Sequence, residues 1–177
     1  MRTVLIKSSL RENSNSSKIF TYLRSELIKR GHEVSIVHGE SVSPCTGCSS
    51  CSLTGRCVHQ DDFSSVLSKG ADFFIFVGPV YFFGLNSTLH RVLERLYPYN
   101  LSGVSLGLAL TTGSPFRYGG VDLIIEQFSR IDEYCGSHTV VPFNKVTYDS
   151  VTELTEVDKI GLTKLIDDLE NDRREYV

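Results

Sequence analysis

Positive charge is not in excess in this chain: 18 lysines and arginines face 21 aspartates and glutamates, for a net charge of −3. The electrostatic footprint that nucleic-acid binding requires is therefore missing, and no nucleic-acid partner is expected. Long apolar runs are missing too. The most apolar stretch, ADFFIFVGPVYFFGL, is broken by Gly78 and Pro79 and is too short to span a bilayer, so no membrane partner is expected. The opening MRTVLIKSSL has too brief an apolar run for a secretory signal, and no small-residue cleavage site follows. The chain is accordingly read as cytoplasmic, where thiols stay reduced. Internal repeats, linkers and low-complexity segments are absent, and residues 1–177 are read as one domain able to bury its own core. Several catalytic motifs are also absent: the Walker-type phosphate loop, the G-x-G-x-x-G dinucleotide turn, HExxH, and G-x-S-x-G. The five histidines are scattered and read as surface or packing residues, with only His59 close to a cysteine-rich segment.

What the chain does contain is an alternation of strand-like and helix-like segments. Strands are expected at 3–8, 33–37, 72–77, 104–110 and 138–142. Helices are expected at 17–30, from Asp61 or Asp62 to Lys69, on the stripe Leu85, Leu89, Val92, Leu93 and Leu96, and at 119–130 and 153–170. For the last helix the apolar face is read as Leu154, Val157, Ile160, Leu165, Ile166 and Leu169. The run DFFIFV is continuously apolar, as a strand covered on both faces must be. Strands separated by helices imply an α/β fold, a five-stranded parallel sheet with right-handed crossovers and helices on both faces. Ligands of such sheets bind at the carboxyl ends of the strands, next to the topological switch point.

Three loops fall at those ends. SSLRENSNSSK, residues 8–18, offers hydroxyls, amides, one arginine and a helix start, which is what a monophosphate needs. GPVYFFG, residues 78–84, spends three successive aromatics where loops rarely do, and suits a planar apolar ligand or a subunit contact. The competing reading is that these rings complete the core beneath the loop. TTGSPFRYGG, residues 111–120, again places hydroxyls and glycines directly after a strand. A phosphate cradle, an aromatic shelf and a Thr/Gly loop on one sheet edge fit flavin mononucleotide (FMN) better than other common cofactors.

With the S-x-R-x-x-S-N-S pattern at 9–16, the run PVYFFGLNSTLHRVLER at 79–95 and the spacing C-x2-C-x2-C-x5-C at 45–57, the chain resembles the flavodoxin-like NAD(P)H-dependent FMN reductase superfamily, and within it the iron–sulfur flavoprotein group. The resemblance covers roughly residues 3–130. It implies a flavodoxin-like three-layer sandwich. It also implies that Ser9, Arg11, Asn13, Asn15 and Ser16 hold the FMN phosphate, that Pro79, Val80, Tyr81, Phe82, Phe83 and Gly84 line the isoalloxazine and ribityl chain, and that Thr111, Thr112 and Gly113 close over the ring. The sequence departs from the family at His90 and Glu94, and at Leu10 and Glu12 around Arg11; Glu12 is expected to point away from the phosphate. No general acid, base or nucleophile is implied, because the redox chemistry belongs to the flavin.

Four of the five cysteines sit in PCTGCSSCSLTGRC, within a cysteine-rich insertion at 44–60. The odd count argues against a purely disulfide framework. Zinc favours two chelating pairs set further apart, whereas this compact run resembles the ferredoxin type that wraps a 4Fe–4S cluster. The preferred reading gives Cys45, Cys48, Cys51 and Cys57 to such a cluster beside the flavin; zinc and an empty loop of thiols stay open. Cys135 reads as a small buried residue. The function expected is an FMN-dependent oxidoreductase or electron-transfer flavoprotein that exchanges electrons with NAD(P)H and a small-molecule redox substrate or carrier. The alternatives are a cluster-free NAD(P)H-dependent FMN or quinone reductase, and a non-catalytic flavodoxin-like binding module. The exposed aromatics also suggest a homodimer or higher homo-oligomer.

Overall fold

The apolar runs of the sequence become strands, and the amphipathic runs become helices that cover them. A computed structural model describes residues 1–115, 118–139, 142–148 and 150–175. Its strands are β1 (Arg2–Lys7), β2 (Glu33–His38), β3 (Phe73–Tyr81), β4 (Gly84–Leu85), β5 (Ser105–Thr112), β6 (His138–Thr139) and β7 (Phe143–Val146). Its helices are α1 (Asn15–Lys29), α2 (Ser50–Thr54), α3 (Asp62–Ser68), α4 (Ser87–Leu96), α5 (Val121–Cys135) and α6 (Glu156–Glu175), with a 3-10 turn at Gly39–Ser41. Among the described residues no helix is long and apolar enough to cross a membrane.

The strands run β2-β1-β3-β5-β6, with β7 also on β5, and every one of these pairings is parallel. This is the flavodoxin-like order, in which the chain reverses its direction of winding between β1 and β3. Side chains alternate between the two faces, as a pleated strand dictates. Val4, Ile6, Phe74, Phe76, Leu106 and Leu108 join α3, α4 and α5 in one core through Phe63, Leu89, Val92, Leu96 and Phe128. Leu5, Phe73, Ile75, Val77 and Ala109 join α1 and α6 in the other through Ile19, Leu23, Leu27, Leu162, Ile166 and Leu169.

The elements depart from expectation in ways that have physical causes. β3 does not stop at Val77 but continues through Gly78 and Pro79 to Tyr81. Proline is tolerated there because β1 pairing ends at Lys7–Val77, which leaves that side of β3 without a partner strand. β3 then turns straight into the antiparallel β4. The fifth strand position, expected at 138–142, is shared by β6 and β7; Val140 and Val141 lie outside the described residues. α6 begins later than expected, behind a reciprocal cap in which Thr155 N–H donates to Asp158 and Asp158 N–H donates to Thr155 Oγ1. That start turns Val157 and Ile160 outward, to 78% and 68% exposure, and buries Leu162 instead. Cys135 is half-buried against the core, and burial pushes its thiol pKa up.

The carboxyl ends of β1 and β3 meet unusually closely. Ser8 N–H and Ser8 Oγ both donate to the Val77 carbonyl, each at 3.1 Å. A Cβ on Gly78 would lie 1.8 Å from Ser8 Oγ and 3.0 Å from Leu89 Cδ1. Asn86, the cap of α4, donates from Nδ2 to Ser8 Oγ at 2.9 Å, and Thr88 Oγ1 donates to the Ser8 carbonyl at 2.8 Å. Replacing Gly78 with alanine is expected to lower unfolding stability by roughly 1–3 kcal/mol through overpacking. Urea denaturation measures this, and a wild-type midpoint for the variant would contradict the close approach.

Candidate functional site

Serine at position 14 caps α1: its hydroxyl accepts the Ser17 N–H at 3.1 Å. The N–H groups of Asn15 and Ser16 precede the first carbonyl available to them within the helix, so they face outward with the positive end of the helix dipole. The loop before them is set by a chain of hydroxyls. Ser9 Oγ lies 2.9 Å from Ser14 Oγ, Ser14 Oγ donates to Ser17 Oγ at 2.9 Å, and Ser17 Oγ donates to the Arg11 carbonyl at 2.8 Å. Across the sheet edge, Ser16 Oγ lies 2.9 Å from Thr111 Oγ1 at the end of β5. Among the described residues nothing engages the Arg11 guanidinium, which is exposed.

These groups line a cavity of about 320 Å³ at the carboxyl edge of the sheet. Of the sequence candidates, Ser9, Arg11, Asn15, Ser16, Pro79, Val80, Tyr81, Thr111, Thr112 and Gly113 line it, together with Ser14, Thr147, Ser150 and Val151. Asn13 is exposed outside it, and Phe82, Phe83 and Gly84 stand beyond its rim on the β3–β4 hairpin. Glu12 lies in a separate groove with Lys18, Tyr22 and Glu153 on the far side of α1. His90 and Glu94 line an apolar groove between α4 and α5, also away from this cavity. Among the described residues Arg11 is the one charged side chain in the lining. The arrangement can bind an anion at the α1 end and a flat group between Tyr81 and the Thr111–Gly113 turn.

Several lining side chains are already committed, Asn15 and Thr112 among them. Asn15 Nδ2 donates to the Ser150 carbonyl at 2.6 Å, so only its backbone N–H is free for an anion. Thr112 Oγ1 donates to the Ser114 carbonyl at 2.7 Å.

The aromatic hairpin does not complete the core. Tyr81, Phe82 and Phe83 are 59%, 98% and 52% exposed. Phe82 and Phe83 are the two central residues of a two-residue turn, with φ of 48° and 65°. A type I′ hairpin turn demands positive φ at both positions and normally uses Asn-Gly. Gly120, with φ of +80°, packs so closely beneath that its Cβ would lie 2.4 Å from Phe83 Cα.

Cys45, Cys48, Cys51 and Cys57 line one small cavity of about 190 Å³ together with His59, and share no lining residue with the larger cavity. Cys45 and Cys48 are exposed, and Cys51 and Cys57 half-buried. Among the described residues no three His, Cys, Asp or Glu side chains stand close enough to share one metal ion. A cluster with one cysteine per iron asks less of them than a single ion does. Ser49 in the middle of the loop has φ of 58°, and among the described residues His59 Nε2 is buried without a hydrogen-bond partner.

The loop is closed at its base by Arg95, which sequence reasoning did not single out. Its side chain is 1% exposed and forms a two-pronged ion pair with Asp61, at 2.8 Å and 3.1 Å. It also donates to the Ser43 carbonyl at 3.0 Å and to Ser64 Oγ at 3.0 Å. Ser43 and Asp61 flank the insertion, so one guanidinium ties both ends. The signal was an arginine three residues after Val92 on an otherwise apolar helical stripe. Burial alone pushes the Asp61 carboxyl pKa up. Hydrogen bonds from Arg95 and from the N–H groups of Ser43 and Ser64, with the Arg95 charge, outweigh that and hold it well below the usual carboxylate range.

Comparisons with known proteins give the family and the fold. The sequence profile described as NADPH-dependent FMN reductase matches residues 1–141. An iron–sulfur flavoprotein of Archaeoglobus fulgidus is 29% identical over 140 residues, 77% of this chain and 60% of that protein. The chain thus spans about three fifths of that relative. A second iron–sulfur flavoprotein, from Methanocaldococcus jannaschii, is 29% identical over 135 residues, 72% of this chain and 69% of the other. Among solved structures, an NAD(P)H:quinone oxidoreductase of Methanothermobacter marburgensis superposes with a TM-score of 0.69 at 12% identity, covering 100% of this chain and 98% of that one.

Two outcomes test the site. A folded-state pKa held low contributes stability that is present above the unfolded carboxylate value and is lost as pH falls through the folded one. Asp61→Asn is expected to lower stability at neutral pH by roughly 3–5 kcal/mol, because Arg95 is left buried and unpaired. It is also expected to flatten the decline of urea midpoints below about pH 5. Phe82→Asn with Phe83→Gly is expected to raise the unfolding free energy by about 1–3 kcal/mol, since each phenylalanine gives up a left-handed backbone. Thermal unfolding without flavin reads this out, and a fall in Tm would refute strain at the turn.

Proposed function

The chain belongs to the NADPH-dependent FMN reductase family, and on that premise we propose that it is an FMN-dependent oxidoreductase which passes electrons from NAD(P)H to a small acceptor or carrier. The observation that carries this reading is the cavity at the switch point. It joins Arg11, whose guanidinium has no partner among the described residues, and the N-terminus of α1 to a space lined by Tyr81. Arg11 supplies a positive charge for a phosphate, while Asn15 and Ser16 supply backbone N–H donors and Ser9 and Ser16 hydroxyls. Pro79, Val80 and Tyr81 and, from the loop after β5, Thr111, Thr112 and Gly113 would bound the ring, with Phe82, Phe83 and Gly84 beyond the rim. Bound FMN supplies the redox chemistry, taking electrons as a hydride or passing them singly. The chain's own part is to bind, orient and screen; none of the lining groups is needed as a general acid or base.

The same reading gives Cys45, Cys48, Cys51 and Cys57 to a 4Fe–4S cluster. Support comes from their shared cavity, from the buried, unpartnered His59 Nε2 beside it, and from the two relatives that carry the iron–sulfur name. A cluster there would supply single-electron transfer. A cluster-free reductase is the second reading, favoured by the spread of these side chains, too wide for any three to share one ion among the described residues.

Anaerobic purification followed by an absorbance spectrum, iron and sulfide assays and an NAD(P)H oxidation assay separates the two. Flavin bands with about four irons per chain are expected on the cluster reading. Cys48→Ser is expected to remove the iron and leave the flavin in place. Flavin without iron would leave the cluster-free reductase standing, and a colourless protein would overturn the proposed function.

A further inference from the structure

We propose, on the cluster reading above, that His59 is a positioning residue whose Nε2–H is held for a sulfur at the Cys57 corner, with Arg95 Nε as a second donor beside it. The pair makes the group bound there easier to reduce.

Among the described residues three buried side-chain nitrogen or oxygen atoms have no hydrogen-bond partner: His59 Nε2, Arg95 Nε and Asp122 Oδ1. Two of the three belong to the cysteine insertion and its base. A buried donor left unmet destabilises a fold, so two of them in one place call for a common acceptor. Cys57 is near both. The His59 ring lines the same small cavity as Cys57, and Arg95 lies within electrostatic reach of that cysteine. Metal-bound thiolates and sulfides offer lone pairs and no protons, so Nε2 is the ring nitrogen that carries the hydrogen.

Both donors are held by one scaffold. Ser64 Oγ donates to the His59 carbonyl at 2.7 Å, and Arg95 Nη2 donates to the same Ser64 Oγ at 3.0 Å. Asp61 Oδ1 accepts the Ser64 N–H and Arg95 Nη2, each at 3.1 Å. The backbone of His59 is thus bonded through Ser64 to the guanidinium that closes the insertion. The four sulfurs are not equivalent either. Cys45 and Cys48 are exposed to water, whereas Cys57 is half-buried beside these nitrogens. Reduction adds negative charge to sulfur, and an N–H donor interacts more strongly with the sulfur after the electron arrives than before. Its presence therefore shifts the equilibrium toward the reduced form.

The test uses the full chain, purified anaerobically, as wild type, His59→Leu and His59→Gln. Iron is counted per chain, and a redox titration is read by electron paramagnetic resonance of the iron–sulfur signal. Leucine fills the space without a donor, and glutamine restores an amide N–H. His59→Leu is expected to disfavour one-electron reduction about tenfold, a shift of about 59 mV to lower potential. His59→Gln is expected to stay within about threefold of wild type. Loss of iron from His59→Leu alone also supports the proposal. A wild-type potential in His59→Leu overturns it, as does an equal shift or an equal loss of iron in both variants. In the iron-free chain His59→Leu is expected to raise the urea midpoint, because an unmet buried donor is removed. A lower midpoint means that Nε2 already has a partner, which refutes the proposal. If wild type assembles no cluster, the cluster reading fails and takes this role with it; the wild-type iron count alone tells the two failures apart.

Discussion

The contact on which the site depends is the one between Ser8 and the Gly78 backbone, where a hydroxyl occupies the space a side chain would otherwise take. It draws the carboxyl ends of β1 and β3 together at the switch point of the sheet. From the β1 side emerges the hydroxyl-rich turn that caps α1; from the β3 side emerges the aromatic hairpin. Asn86 and Thr88 then tie the start of α4 to the same serine, so three elements share one polar knot under the cavity floor. A buried hydroxyl with several partners is stable only while all of them are present, which makes the knot a cooperative unit.

A second buried polar centre, around Arg95, does a similar job for the cysteine insertion. Burying a guanidinium is unfavourable unless it is paired and hydrogen-bonded. Here Asp61, the Ser43 carbonyl and Ser64 meet most of that demand, although Nε has no partner among the described residues. The geometry separates roles. The base of the insertion is fixed to α3 and α4, while Cys45 and Cys48 remain exposed.

Much of this was legible in the sequence, and the pattern of what was not is instructive. The continuous apolarity of DFFIFV announced a strand covered on both faces, and alternating periods gave the layered α/β architecture. Residues 8–18 and 111–113 carried their chemistry openly, because hydroxyls and a lone arginine after apolar strands have few other uses. β7 and the stretch after it were hidden, because Pro142 punctuates the chain and four residues give too little periodicity to read. The roles of Asn15 and Arg95 were invisible for another reason. Their partners, Ser150 and Asp61, are remote in sequence, and only the folded sheet brings them together. Val157 and Ile160 were misjudged because the helix, capped at Thr155, turns Leu162, Leu165, Ile166 and Leu169 to the core and leaves those two outside.

The turn at Phe82 and Phe83 has a consequence for how this chain can change over time. Its backbone favours small, flexible residues, while its rings project into solvent and give the core nothing. Random substitution at these two positions therefore meets a downhill slope in folding free energy, toward glycine and asparagine. The two rings therefore stand at positions where the fold itself favours other residues.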